Sequence, residues 1–424
     1  LFFSTKFRIF VEIRKMWSII PNSIKELHTL FKNNGKSLYI VGGSVRDFLN
    51  KETPKDYDLA TDATPDEILL ITKDYRNHLH GESFGVVVVY TEDTPEGFEI
   101  ATFRADQYET KEGFEEFLKI CYPTQYNNFL DTSEDFTEAY EKYKELVYTN
   151  RNPHSVKFTT IDKDVLRRDL TINALFYDLD KQEVIDLVGG VEDIKNKITR
   201  FVGEPTLRIK EDPLRIPRLF RFTTKYGFKI DSESSIAIFV CAPLLSIITK
   251  ERIWDEIKKA YKQSKNFSDY LELICTYGID TIIFPGLHVS LTHPNETMNL
   301  ELHFAYLFQE NSTIGLLDKM KFEFKMEHNF ARTVVFLINL INLKEETVIE
   351  LHKNKIICGI SDKDIQQWYK LTLLDKSKIH QAFLKYVPTF KAEELMLQGF
   401  KNRALGAEIK RLELENFNKI INEI

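Results

Sequence analysis

Leu38-Tyr39-Ile40-Val41-Gly42-Gly43-Ser44-Val45-Arg46-Asp47-Phe48-Leu49-Asn50, followed closely by Asp56-Tyr57-Asp58, is the stretch from which the rest of the chain can be read. An apolar run reads as a strand over Leu38–Val41, breaks at two glycines and gives way to a short helix over Ser44–Leu49. Tyr57–Ala60 reads as a second strand. A Gly-Gly turn opening a helix presents bare backbone N–H groups to a phosphate, and Arg46 adds positive charge. Asp56 and Asp58, two apart on a strand, share one face as a divalent-metal pair requires, while Tyr57 turns the other way into the core. Two spaced acids on a strand are alone a common surface feature. The glycine turn just before them gives them chemical weight.

Outward from this stretch, helical spacing covers Ile20 to Phe31, with Ile24, Leu27, Leu30 and Phe31 on one stripe. Thr64-Pro65-Asp66-Glu67 is a helix start with proline just inside it. Phe84 to Tyr90 and Gly97 to Phe103 read as buried strands joined by a charged turn. The mixed strand-and-helix block runs to about Val188. It is interrupted by residues 107–149, too long for an ordinary loop, where Thr132-Ser133-Glu134-Asp135 precedes Phe136, Tyr140, Tyr143 and Val147 at helical spacing. After Arg200 helical periodicity dominates. Residues 200–262 hold 13 Lys and Arg against 8 Asp and Glu, with Arg208, Arg215, Arg218 and Arg221 largely on one helical side. Such a run is commonly a solvated face, but here arginine alternates with aromatic residues, as nucleic-acid surfaces do.

The bulk numbers set the outer limits. A chain of 424 residues has room for two to four domains. A net charge of −7 argues against a non-specific nucleic-acid coat and leaves room for a local basic groove. No apolar run reaches the roughly 18–20 residues of a membrane span. Cys121, Cys241, Cys275 and Cys358 are far apart, so neither a structural zinc site nor a disulfide framework is expected. Lys6, Arg8, Arg14 and Lys15 against Glu12 give residues 1–15 the look of a basic amphipathic leader. The plainer reading makes Met16 the working start. The expected location is cytoplasmic, or mitochondrial if residues 1–15 are a leader.

The other phosphate-handling motifs are missing: no G-x-x-x-x-G-K-[ST] loop, no G-x-G-x-x-G after a strand, no H-R-D or D-F-G, and no G-x-S-x-G turn. The chain carries instead Arg167-Arg168-Asp169-Leu170-Thr171-Ile172-Asn173-Ala174, which alone could be a capped helix beginning near Asp169. Then come Asp186-Leu187-Val188-Gly189-Gly190-Val191-Glu192-Asp193, Glu211-Asp212-Pro213-Leu214-Arg215 and Glu251-Arg252-Ile253-Trp254-Asp255-Glu256. With Gly42–Asp47 and Asp56–Asp58 these make six ordered elements over residues 38–257. In that order they resemble the class II tRNA nucleotidyltransferases, the CCA-adding family of the polymerase-β-like superfamily.

The resemblance implies an α+β architecture: a polymerase-β-like nucleotidyltransferase head of mixed sheet plus helices, followed by an all-helical neck, body and tail. On that plan residues 1–19 are a leader and 20–188 the head, with an insert at 107–149. Residues 189–265 are a neck carrying the nucleotide-templating helices, and 266–424 a body and tail that grip tRNA. It further implies that Gly42, Gly43 and Arg46 bind the triphosphate, that Asp56 and Asp58 hold Mg2+, and that Arg168 and Asp169 lie near the nucleotide's sugar. Glu99 stands where relatives have a further acid near the metals, or is a structural strand glutamate. The partners expected are the tRNA 3′ end, with CTP and ATP as substrates, and no membrane.

Base choice is expected from hydrogen-bond chemistry at Asp212 and Arg215. Cytosine and adenine each present a donor amine beside an acceptor, which an Asp and an Arg can match; uracil and guanine reverse the pattern. Mispairing costs on the order of 1–3 kcal/mol per buried group. Arg218 and Arg221 lie next along the chain and would neutralise phosphate. Pro217 stands where the family has an aliphatic residue, which places the helix start close to Pro213–Arg215 or kinks the helix. Residues 107–149 have no recognisable family counterpart. Arg151 to Phe158 matches the end of the family's flexible loop, a loop implicated in its switch from C to A addition.

Overall fold

The structure, a computed structural model, describes residues 17–80, 85–107, 155–290 and 297–424. The leader at 1–15 and the helix read within the 107–149 insert lie outside those residues. The chain divides into two compact units, one ending at Ile248 and the other beginning at Thr249.

The first unit is organised by a seven-stranded sheet. Helix α1 (Asn22–Asn33) buries Ile24, Leu27 and Phe31 on the stripe their spacing implies, with Leu30 half-buried at its margin. Strand β1 (Leu38–Val41) then leads through Gly42 into helix α2 (Gly43–Leu49). Gly42 has φ +71°, and a Cβ there would lie 3.4 Å from the Asn173 carbonyl oxygen, so the turn suits glycine on both counts. Strand β2 (Asp58–Thr61) pairs antiparallel with β1, with Val41 opposite Asp58. Helix α3 (Pro65–Ile71) opens with a capping box: the Thr64 hydroxyl accepts from Glu67 N–H, and Glu67 accepts from Thr64 N–H at 2.8 Å.

Strands β3 (Arg76–His80), β4 (Val86–Thr91) and β5 (Thr94–Thr102) form a meander whose last strand runs parallel to β2. Strands β6 (Arg104–Gln107) and β7 (Ser155–Phe158) pair antiparallel with Gln107 opposite Ser155, so the long segment between them leaves and returns at one point. Helix α4 (Ile161–Leu166), a 3-10 turn (Thr171–Asn173), β8 (Phe176–Asp178) and β9 (Glu183–Ile185) complete the sheet in the order β3-β4-β5-β2-β1-β8-β9. No helix begins at Asp169: the Arg167–Ala174 motif is a turn, not a capped helix.

The Asp186 to Asp193 motif is scaffolding. One Asp186 carboxylate accepts the backbone N–H groups of Val188, Gly189, Gly190 and Val191, which folds the turn before helix α5 (Gly190–Asn196). A Cβ at Gly190 would lie 2.2 Å from the Thr171 carbonyl oxygen, and Asp193 accepts from the Thr171 hydroxyl at 2.6 Å. This turn therefore presses directly on the Arg167–Ala174 segment. Beyond a short strand β10 (Ile198–Thr199) come helix α6 (Pro205–Glu211), helix α7 (Arg215–Tyr226), strand β11 (Lys229–Ile230) and helix α8 (Ser232–Cys241). Pro217 is the third residue of α7, in the first turn, where its missing N–H costs nothing and no kink is required.

The second unit is helical throughout its described residues. Its core is aromatic: Trp254 packs 5.2 Å from Phe304 and 4.9 Å from Phe330 by ring centroids, and Phe284 touches Phe304, Phe308 and Phe324. Glu256 of the Glu251–Glu256 motif is buried on the helix Lys250–Gln263. The last helix, Asn402–Glu423, is fixed by a buried Glu413. Its carboxylate accepts from the Tyr386 hydroxyl at 2.9 Å and from the N–H groups of Thr389 and Phe390, each at 2.8 Å.

Candidate nucleotidyl-transfer site

The site begins where β2 and β5 lie side by side. Their parallel register pairs Leu59 with Ile100, which sets Asp58 beside Glu99 on one face of the sheet. Asp58 is exposed at the start of its strand, yet its carboxyl is crowded enough by the surrounding protein that its pKa is pushed up to about 6. Loss of water is the largest cause, and the negative charges of Asp56 and Glu99 add to it. Arg168 and Arg46 pull the other way and do not compensate. The result is that ionised Asp58 is held at a cost.

Asp56 does not share the strand. Strand β2 starts at Asp58, so Asp56 belongs to the preceding turn, and its relation to Asp58 is not set by the strand pleat as the i, i+2 spacing implies. Tyr57 corrects a second expectation. It is half-buried, and its hydroxyl reaches the Ile19 carbonyl oxygen at 3.4 Å rather than entering the core.

Among the described residues no group of three or more His, Cys, Asp and Glu side chains has the arrangement of a protein-built metal cage. The donor chemistry still fits magnesium, which takes one or two carboxylates and fills its remaining positions with phosphate oxygens and water. The loss of water at Asp58, with the charges of Asp56 and Glu99 added to it, makes this a place where a bound cation would lower the cost of ionising the carboxyl.

The positive wall facing these acids comes from the Arg167–Ala174 segment. Asp164, 1% exposed, accepts from Arg167 Nε at 2.8 Å and from Arg168 Nε and Nη2 at 3.1 and 2.9 Å. Arg168 lies over the Phe176 ring at 4.8 Å, with one of its nitrogens 3.7 Å from where a Gly42 Cβ would be. Two guanidinium groups therefore adjoin the glycine turn: Arg168 beside Gly42, and Arg46, whose Nη2 lies 3.6 Å from where a Gly43 Cβ would be. Gly43 occupies the first position of α2, and Gly42 spends its own N–H on the Leu175 carbonyl at 2.9 Å.

Arg46 sits beside the glycine turn and also inside the contact between α2 and α7. It is 5% exposed, donates to the Asn173 side-chain oxygen and to Asp47, and lies over the rings of Phe222 at 4.8 Å and Tyr226 at 5.1 Å. Its charge reaches Asp58, and its guanidinium lies in the α2–α7 contact. The Tyr226 hydroxyl donates to Asp47 at 2.5 Å on the same contact.

Asp169 and Arg218 form the next link. Arg218 Nη2 and Nε donate to Asp169 at 2.7 and 3.1 Å, while Asn173 and the Leu170 N–H hold the other carboxylate oxygen. These bonds, Arg218 first among them, outweigh burial and keep the Asp169 carboxyl well below the usual range. Arg218 thus neutralises the Asp169 carboxylate in this structure. Arg221 is buried, with its guanidinium 4.3 Å from the Phe222 ring.

Asp212 and Arg215 sit at the break between α6 and α7. Asp212 is half-buried in extended conformation at the end of α6, accepting from Leu214 N–H at 3.2 Å. Arg215, buried as the first residue of α7, donates to Glu211 at 2.7 Å, to the Arg208 carbonyl at 3.2 Å and to the Arg167 carbonyl at 3.0 Å. Arg208 binds Glu211 as well and donates to the Leu166 carbonyl at 2.6 Å. The structure thereby brings the helix break against the very segment that carries Arg168 and Asp169.

Two residues that organise the site carry no motif that marks them. Asp164 lies three and four residues before Arg167 and Arg168, a helical spacing that could have flagged it. Tyr226 lies far from Asp47 in sequence, and no local signal joins them.

A mixed sheet with a Gly-Gly turn, acids on one face and the half-buried Arg168 near them has the make-up expected of a nucleotidyltransferase head. Residues 38–200 match the family model described as the poly A polymerase head domain, and residues 227–291 one described as a probable RNA and SrmB-binding site of polymerase A. Poly(A) polymerase I of Escherichia coli O6:H1 is 32% identical over 269 residues, 63% of this chain and 51% of that protein. The chain thus spans about half the length of such relatives. A CCA-adding enzyme of Streptococcus gordonii is 28% identical over 389 residues, 89% of this chain and 86% of that protein. The crystal structure of the Bacillus stearothermophilus CCA-adding enzyme in complex with CTP shares the fold at a TM-score of 0.62 and 21% identity, covering 94% of this chain and 92% of that one. The head, residues 38–200, matches the poly A polymerase head family, and the chain as a whole is similar to poly(A) polymerases and to CCA-adding enzymes alike.

Proposed function

We propose that this protein adds CCA to the 3′ end of tRNA from CTP and ATP without a nucleic-acid template, releasing pyrophosphate. The observation that carries the reading is the acid set of Asp58, Asp56 and Glu99, in which ionised Asp58 is held at a cost, faced by Arg168 beside the Gly42 turn. The likeness to a CCA-adding enzyme over most of both chains supports it. Magnesium held by Asp56 and Asp58 would activate the attacking 3′-hydroxyl and stabilise the leaving pyrophosphate. Arg168 and the Gly42–Gly43 turn hold the triphosphate, and Asp169, kept ionised by Arg218, orients the sugar side. Asp212 and Arg215 select cytosine and adenine by donor and acceptor pattern, with Arg215 exchanging its Glu211 contact for the base. The head, a templating neck around α6 and α7, and a tRNA-gripping helical body make up the domain plan.

A second reading is poly(A) addition, favoured by the 32% identity to poly(A) polymerase I over the first part of the chain. One experiment separates the two: CTP and ATP, singly and together, are presented to a tRNA transcript lacking its CCA end, and products are sized. CCA addition gives two residues with CTP alone and three with both. Long A tails sustain the second reading, and no extension at all sinks both. Asp56→Ala and Asp58→Ala are expected to abolish incorporation while tRNA binding persists in a gel shift.

A further inference from the structure

Three basic side chains stand in a row on β3, the edge strand of the large sheet. Arg76, His78 and His80 alternate with Asn77 and Leu79, and all three are exposed. Asn77 points to the opposite face, where its amide donates to the Thr72 carbonyl at 3.0 Å and to the Thr72 hydroxyl at 2.8 Å, at the end of α3. The basic row therefore lies on the face without α3. Registers carry this face straight to the acids: His78 pairs with Val88, Val88 with Glu99, and Glu99 lies beside Asp58. Three strand steps separate His78 from Asp58, about 14 Å.

The row is ordered by one ring. Arg76 lies over Tyr90 at 4.6 Å, and the His78 imidazole stacks on the same ring at 5.7 Å with planes 21° apart. Tyr90 settles close to the sheet because position 97 is glycine. A Cβ there would meet the Tyr90 ring at 3.2 Å and the Val88 side chain at 2.6 Å, and its φ of +80° is itself a glycine conformation. Among the described residues none of Arg76, His78 and His80 is paired with a carboxylate. An exposed, pre-ordered stack of a planar guanidinium, an imidazole and an aromatic ring is what unpaired bases and their phosphates bind.

We propose that Arg76, His78 and Tyr90 form a platform for the single-stranded 3′ segment of the RNA being extended, gripping it upstream of the reacting hydroxyl. This rests on the reading of the chain as an enzyme that extends RNA 3′ ends. At about 3.4 Å per stacked nucleotide, 14 Å is the reach of about four nucleotides from Asp58. The chemistry selects the occupant, because the platform joins the fixed charge of Arg76 to two stackable rings and shares a face with the reaction site.

The test uses the whole protein, a fluorescent ten-nucleotide RNA ending in CC, and the variants Arg76→Gln, Tyr90→Ala and Tyr90→Phe, with circular dichroism confirming their fold. Without nucleotide present, Arg76→Gln and Tyr90→Ala are expected to weaken oligonucleotide binding about tenfold, the loss of one stacked contact, while Tyr90→Phe keeps it. In ATP addition the same two variants raise KM for RNA about tenfold and leave kcat and KM for ATP unchanged. Binding and KM for RNA within twofold of wild type overturn the platform, as does a rise in KM for ATP alone. Platform-dependent binding by a wild-type protein that extends no RNA supports the platform and defeats the enzymatic reading, so the two failures are distinguishable.

Discussion

Replacing Asp58 by Asn is expected to stabilise the metal-free protein at pH 8. The Asp58 carboxyl has an ordinary value of 3.8 and is pushed up to about 6 in the folded chain. A raised carboxylate pKa means that the folded state resists ionisation. The penalty is absent below pH 3.8, builds as pH rises through the gap, and is complete above about pH 6. For a fully enclosed group this gap is worth about 3 kcal/mol at 1.36 kcal/mol per pH unit. Asp58 is partly open to solvent, so screening reduces the figure to about 1–1.5 kcal/mol. For a unit of this size that is a rise in Tm of about 2–6 °C. Melting curves of wild type and Asp58→Asn in EDTA, at pH 8 and pH 4, check it: the gain is present at pH 8 and shrinks to a few tenths of a kcal/mol at pH 4. Magnesium added at pH 8 then raises the wild-type Tm and leaves the variant unmoved. A variant less stable than wild type at pH 8, or equally stabilised at both pH values, refutes the view that ionised Asp58 is held at a cost.

Tyr226→Phe removes the hydroxyl that donates to Asp47 and is expected to lower stability by about 1.5–3 kcal/mol, read by urea denaturation of the purified protein. Glu413→Ala strands the Tyr386 hydroxyl and two backbone N–H groups; the expected loss is about 3 kcal/mol, with the C-terminal helix becoming the first site of limited proteolysis. Gly190→Ala forces backbone apart at Thr171, and we expect loss of both soluble yield and nucleotide incorporation, since that segment carries Arg168. Asp212→Ala is expected to blur the preference for CTP and ATP over UTP and GTP by about ten- to a hundredfold in kcat/KM, with unchanged tRNA binding.

Strands β1, β4 and β5 and helix α3 can be read directly from the residues because each carries a complete local signal, whether an apolar run bounded by glycine or a capping box. Strands β3 and β9 are less legible: their residues are exposed or half-buried, so no hydrophobic period marks them. The acids and arginines of the site are legible as residue types at characteristic spacings. Their partners are not. Around Arg46 the fold brings Asn173, Phe222 and Tyr226, and to Arg218 it brings Asp169. The spacing of Asp56 from Asp58 assigns both to a strand, but the strand begins one residue after Tyr57, a boundary that spacing alone does not set. The partners of Arg46 and Arg218 come from contacts between segments distant in sequence, which local pattern does not encode.

The hairpin base formed by Gln107 and Ser155 gives the chain an architectural freedom. Its two ends lie one strand spacing apart, about 5 Å, whatever is threaded between them. Closing a longer loop across a fixed gap costs only about 0.6 kcal/mol for each doubling of length. Lengthening this segment therefore asks almost nothing of the sheet, and Asp58, Glu99 and Arg168 keep their places. A lineage can lengthen, trim or exchange the segment in one step and let selection act on the result, with the reacting centre held constant beneath it.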